Sequence, residues 1–281
     1  MVRKLSFTLV LLVFAAGCVQ PSPAQQGAPG GRDTVTPFAE PTLQAAITSA
    51  PGPSATVEIP TATAGGQARP ANATGFLDQG NAYSESGDWD KAIAAYDSAI
   101  QLQPDYAEAY TRRCNAYYGK GDSASAIADC DKAIQLQPNA AEAYYNRGNA
   151  YFGAGDQTSA IADYDKAIQL KPDFALAYNN RGWAYYGKND YDRAIADYYK
   201  AIQLNPDYAL AFTNRGIAYD AKSDTTRAIA DYDKAIQLQP DNAVAYGNRG
   251  NAYRARGDIA RAIADYDKAI QLQPDNAVAY I

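Results

Sequence analysis

Ala228-Ile229-Ala230-Asp231-Tyr232-Asp233-Lys234-Ala235-Ile236 decides the fold, because the same text returns unchanged from Ala160 and Ala262 and with small changes from Ala92, Ala126 and Ala194. Pro104, Pro138, Pro172, Pro206, Pro240 and Pro274 keep the same beat, each 34 residues after the last. A fixed period of this length is the signature of stacked repeat units. With Ala73, Ala107, Ala141, Ala175, Ala209 and Ala243 as first places, an aromatic ring stands at every fourth place, from Phe76 to Tyr246. Tyrosine follows at the eleventh, from Tyr83 to Tyr253, seven residues on and therefore on one helical face. Alanine at the twentieth and twenty-seventh places lets a second helix approach closely.

The punctuation fits a helix-turn-helix unit. Gly87-Asp88, Gly121-Asp122, Gly155-Asp156, Asn189-Asp190, Ser223-Asp224 and Gly257-Asp258 put a helix-ending residue beside an N-cap carboxylate in mid-unit. At each boundary proline followed by Asp or Asn stops one helix and is expected to cap the next. The units resemble the tetratricopeptide repeat over residues 73–106, 107–140, 141–174, 175–208, 209–242 and 243–276, with a partial unit at 277–281. The resemblance implies an all-α fold, a right-handed superhelix of six helix pairs whose first helices line a concave groove.

Ahead of the repeats, Met1-Val2-Arg3-Lys4 and an apolar run from Leu5 to Ala16 read as a secretory signal over residues 1–17, too short to span a bilayer. Ala15-Ala16-Gly17-Cys18 resembles the lipobox of bacterial lipoproteins, with alanine at Ala15 where leucine is usual. The resemblance implies acylation of Cys18 and anchoring in a cell or outer membrane, with the repeats outside the cytoplasm. Residues 18–72 hold nine of the fifteen prolines with alanine, threonine, glycine and glutamine, and no apolar periodicity; this composition makes a tether and not a core.

Histidine is absent, which removes the usual general base and the commonest metal ligand. The carboxylates recur in register and read as scaffold. There is no phosphate-cradling glycine loop, nucleophile elbow or cysteine pair at zinc spacing. The expectation is a protein without catalytic residues, metal or cofactor. A net charge of −6 with no basic stripe disfavours nucleic acid and leaves membrane attachment to the lipid.

Two pairings stand out within the repeats. Arginine at the seventh place (Arg113, Arg147, Arg181, Arg215, Arg249) matches aspartate at the twenty-third (Asp129, Asp163, Asp197, Asp231, Asp265), and both are missing together from the first unit, as Gln79 and Ala95. Joint loss points to pairing within a unit. Cys114 and Cys130 replace glycine and tyrosine of the other units at the eighth and twenty-fourth places. They face each other between paired helices, either as a disulfide or as two buried thiols. Sixteen of the tyrosines, at the fourth, eleventh and twenty-fourth places, are expected in the core.

In the family, places two, five, six, nine, twelve and thirteen of the first helix project into the groove. Place six carries Asn146, Asn180, Asn214 and Asn248; place nine carries Asn81, Asn115, Asn149 and Asn251. This resembles the asparagine ladder of some long tetratricopeptide superhelices, which implies amides that pair with the backbone of an extended peptide. Tyr118, Tyr145, Phe152, Trp183 and Tyr186 are candidate side-chain anchors between the rungs. No lysine occupies the fifth place, which argues against the family's carboxylate clamp. The expected function is a protein-binding scaffold of the bacterial cell envelope that holds a peptide or partner protein. The alternatives are an accessory lipoprotein of pilus or outer-membrane assembly, or a partner module of a glycan-handling enzyme. Ala262 to Tyr280 repeats Ala228 to Tyr246, so the face around Tyr266 and Ile270 is expected to lie open.

Overall fold

A computed structural model describes residues 72–274; Cys18, the expected signal and tether up to residue 71, and the partial seventh unit lie outside the described residues. Each unit is a pair of helices. The pairs are α1 (Ala73–Glu85) with α2 (Trp89–Leu102), α3 (Ala107–Lys120) with α4 (Ser123–Leu136), and α5 (Ala141–Gly153) with α6 (Gln157–Leu170). Next come α7 (Ala175–Gly187) with α8 (Tyr191–Leu204), α9 (Ala209–Ala221) with α10 (Thr225–Leu238), and α11 (Ala243–Ala255) with α12 (Ile259–Leu272). Every helix packs on its pair-mate and on the neighbouring unit, and no strand occurs among the described residues.

The caps explain where the helices begin. Asp88, Asp122, Asp156, Asp190, Asp224 and Asp258 each accept the backbone N–H three residues on, as the sequence predicts. Asn189 and Ser223 take the left-handed conformation that glycine takes in the other mid-unit turns, with φ of 60° and 63°. The Asp or Asn directly after each proline does not cap the next first helix; side-chain caps come only from Asn72 before α1 and from Asn242 before α11, which accept from the Gly75 and Ala245 N–H. Tyr106, Ala140, Phe174 and Tyr208 hold the N-cap positions and offer no side-chain cap, because the turn runs one residue further than the proline spacing suggests. That extra residue is put to use in packing, as where the Phe174 ring lies 4.8 Å from that of Tyr145.

Inside each pair the helices meet at alanine, and in five of the six also at a tyrosine that lies on a glycine. Ala92, Ala126, Ala160, Ala194 and Ala228 are fully buried. At Gly148 an added Cβ would sit 2.7 Å from Cε1 of Tyr164, so the ring can occupy that place only because the side chain opposite it is missing. The second unit solves the same problem differently. Cys114 and Cys130 stand at the glycine and tyrosine positions and are joined in a disulfide, with their Cα atoms 5.5 Å apart. Closing this short loop restricts the unfolded chain and stabilises the unit by about 3 kcal/mol.

Arginine joins the pairs to one another. Arg181 forks onto Asp197 of its own unit at 2.8 and 2.6 Å and reaches Asp165 of the preceding unit at 2.5 Å. Arg147 repeats this with Asp163 and Asp131, and Arg249 with Asp265 and Asp233. Arg113 does the same with Asp129 and Asp97. Within-unit pairing agrees with the joint loss in the first unit; the second carboxylate, at the twenty-fifth place, was hidden in the repeated text. Arg215 keeps Asp231 but meets the Tyr199 ring where the others find that second carboxylate. The carboxylate forks of Asp163 and Asp265 raise the Arg147 and Arg249 guanidinium above the ordinary arginine value.

Tyrosines of the fourth and eleventh places are mostly half-buried and not core, lying beside these guanidinium groups as Tyr178 and Tyr185 lie beside Arg181. At the far end α12 leaves Ile259 and Ile263 53% and 54% exposed, while Tyr266 and Ile270 are partly buried.

Arg181→Ala strands the buried Asp197 carboxylate without its fork, and we expect a loss of about 3–5 kcal/mol in urea unfolding. A loss below about 1 kcal/mol would contradict the role given to the arginine.

Candidate functional site

The tyrosine at the twenty-fourth place needs an acceptor for its buried hydroxyl, and the first helix of its own unit supplies it. Tyr96 donates to Asn81 Oδ1 at 2.9 Å, Tyr164 to Asn149 Oδ1 at 2.8 Å and Tyr266 to Asn251 Oδ1 at 2.8 Å. Asparagine at the ninth place is thus the tyrosine's partner. Asn115, in the unit where the disulfide replaces the tyrosine, has no such task and is half-buried.

Place six is likewise turned into the stack, which corrects the expected ladder. Asn180 is 1% exposed; its Nδ2 donates to the Tyr145 hydroxyl at 3.0 Å and to Asn149 Oδ1 at 2.9 Å. Asn179 Nδ2 donates to Asn180 Oδ1, and Asn214 Nδ2 donates to Asn179 Oδ1, both at 3.1 Å. Asn146 Nδ2 reaches the Thr111 carbonyl at 3.3 Å, and Asn248 is buried. The physical reason is the close approach of successive first helices, which lets the amides of Asn146, Asn180 and Asn214 bond across units. Tyr118 and Tyr145 are buried too, and Phe152 is partly buried against the core.

Units four and five depart from this scheme side by side. Trp183 takes the ninth place of unit four, and the Tyr198 hydroxyl, on a side chain 0% exposed, has no hydrogen-bond partner among the described residues. Ile217 takes the ninth place of unit five, and there Tyr232 donates instead to Asp220 Oδ2 at 2.8 Å. Asp220 lies one helical turn further along α9, at the twelfth place. The same place in α7 holds Tyr186, partly exposed and stacked on the 7% exposed Trp183 with centroids 5.1 Å apart and planes 11° apart. Tyr191, at the start of α8, meets the Tyr186 ring at 5.4 Å.

Asp220 is the chemically unusual group of this patch. Burial pushes its carboxyl up to about 7 despite the Tyr232 hydroxyl, which favours the charged form. No lysine or arginine among the described residues stands within ion-pair distance of it; Arg254, at the same place of the next first helix, is exposed. Sequence reading passed over Asp220, although a signal existed: unit five loses asparagine at place nine and gains a carboxylate at place twelve together. No cluster of metal-ligating residues and no helix long and apolar enough to cross a membrane occurs among the described residues.

Family models match over residues 80–121, 114–155 and 148–189, described as TPR repeat, and over 175–208, 209–242 and 243–276, described as tetratricopeptide repeat. The chain belongs to the tetratricopeptide repeat family. Among solved structures, the TPR array is similar to the MamA protein at 30% identity and a TM-score of 0.51, over 61% of this chain and 93% of that one. It is similar to YrrB, described as a TPR protein with an unusual peptide-binding site, at 25% identity and a TM-score of 0.53, over 66% and 95% of the two chains. A Pseudomonas aeruginosa pilF structure shares the fold at 17% identity and a TM-score of 0.65, over 74% and 94%. None of the curated proteins matches this TPR chain.

Because the folded chain holds the Asp220 proton more firmly than the unfolded chain, this group's contribution to stability falls as pH rises from about 4 through 7. Tyr232 of α10 is the titratable group in direct contact with Asp220; Arg227 of that helix is held by Asp224, Arg181 of α7 by Asp197 and Asp165, and Arg249 of α11 by Asp265 and Asp233, while Arg254 of α11 is exposed. Asp220→Asn should therefore gain on the wild type between pH 5 and pH 8, by on the order of 2 kcal/mol in thermal unfolding. A difference that stays constant with pH would contradict the buried carboxyl.

Proposed function

We propose that this TPR protein is a non-enzymatic scaffold of the bacterial cell envelope, tethered by an acylated Cys18 and holding an extended segment of a partner protein against its first helices. The observation that carries the binding role is the paired departure of units four and five from the framework. Elsewhere the tyrosine of each pair has an asparagine or a disulfide to complete it; here Trp183, Tyr186, Ile217 and Asp220 give up that uniformity together. A stacked aromatic pair beside a carboxylate is chemistry for recognition, since aromatic groups supply most of the energy at binding hot spots. The similarity to YrrB, described as a TPR protein with an unusual peptide-binding site, supports the same class of partner.

The anchor rests on Arg3-Lys4, the apolar run and Ala16-Gly17-Cys18. Tether and repeats then divide the work: the proline-rich composition of residues 18–72 suits a tether, and the array gives the surface.

One experiment reads both parts. Cys18→Ser should move the protein from the detergent phase to the soluble fraction or leave it unprocessed. Trp183→Ala, with helicity retained by circular dichroism, should release the protein captured by wild type in a crosslinked pull-down from membranes, at a cost of 2 kcal/mol or more, roughly 30-fold in affinity. Unchanged membrane association and N-terminal mass would contradict the anchor; undiminished capture would move the binding surface elsewhere.

A further inference from the structure

We propose that Trp183, Tyr186, Asp220 and Tyr232 form a subsite for an alkylammonium group, the side chain of a lysine in the bound polypeptide. The inference rests on the protein-binding reading and adds the chemistry of what is bound.

Three observations carry it. First, Asp220 is a partly buried carboxylate with no cation beside it, whereas the buried carboxylates Asp129, Asp163, Asp197, Asp231 and Asp265 each receive an arginine fork. An ionised carboxylate withdrawn from water without a counter-charge is costly, and an incoming cation removes that cost. Second, the neighbouring ring pair, Tyr186 stacked on Trp183, presents π density to a cation, and exclusion of water strengthens such contacts. Third, the Tyr198 hydroxyl, packed in the same cluster as Trp183, Tyr186 and Tyr232, has no hydrogen-bond partner among the described residues. The framework's polar pairing is therefore incomplete beside this patch.

The geometry selects ammonium over guanidinium. Asp220 Oδ2 already accepts from Tyr232, so a planar guanidinium fork onto both oxygens would have to share Oδ2 with the phenol, whereas an ammonium needs only Oδ1. A compact ammonium with three freely turning donors fits a single carboxylate oxygen flanked by phenols. Its four-carbon stem would lie along the rings.

Binding requires the carboxylate form, so affinity follows Asp220 ionisation. With half-ionisation at about 7, the affinity should rise about tenfold between pH 6 and pH 8.

The test uses the folded full chain and Nα-acetyl-lysine methylamide as probe, read by the Trp183 indole N–H signal in nitrogen-15 NMR and assigned by its loss in Trp183→Phe. The lysine probe should give a saturable shift that grows with pH, and the norleucine counterpart none. Asp220→Asn should abolish the shift, and Tyr186→Leu should weaken it about fivefold or more. Equal shifts with norleucine, an undiminished response in Asp220→Asn, or tighter binding of the arginine counterpart would overturn the assignment. If the probe fails to bind while partner capture persists, this inference alone falls. Probe binding with no partner captured would overturn the scaffold reading and leave the subsite standing.

Discussion

A tyrosine pressed onto a glycine inside five of the six helix pairs sets the terms for the rest of the array. The ring can lie there only because glycine leaves the space, and its hydroxyl, carried inward with it, must then find an acceptor within its own unit. Asn81, Asn149 and Asn251 meet that demand directly. The disulfide of the second unit removes the demand along with the tyrosine. In units four and five the demand is unmet or met by a carboxylate, and there the surface becomes chemically distinct. Framework and candidate site are thus one problem solved in different ways along the chain.

The arginines act between units as the tyrosines act within them. Each guanidinium closes its own pair through one aspartate; four of the five also touch the preceding pair through a second, and the joint at Arg215, between the fourth and fifth units, uses a ring. Nearest-neighbour coupling of this kind makes the stability of such an array roughly a sum over units and interfaces. A change at Asp220 is therefore felt mainly by its own unit and the units on either side.

The periodic framework was legible in the sequence because every element of it repeats: the prolines, the mid-unit caps, the arginine and its own-unit aspartate, and the facing cysteines. The direction of the asparagine amides was not legible. Place six lies at the rim where successive first helices touch, and a small rotation of the pairs decides whether Asn180 faces a groove or the Tyr145 hydroxyl. The second aspartate of the arginine fork was hidden for the opposite reason, since a residue that recurs in every line of repeated text looks like background. Asp220 is a third case. It carries meaning only relative to the acceptor lost at Ile217, a comparison between two places that a scan of single columns does not make.

The central claim is that the ninth-place asparagine serves the buried tyrosine and not a ligand. A double-mutant cycle between Asn149→Ala and Tyr164→Phe, followed by urea unfolding of the chain alone, measures that bond directly. A coupling of about 0.5–1.5 kcal/mol with no partner present is the predicted result. Additive effects of the two substitutions would contradict the account and return Asn149 to the groove.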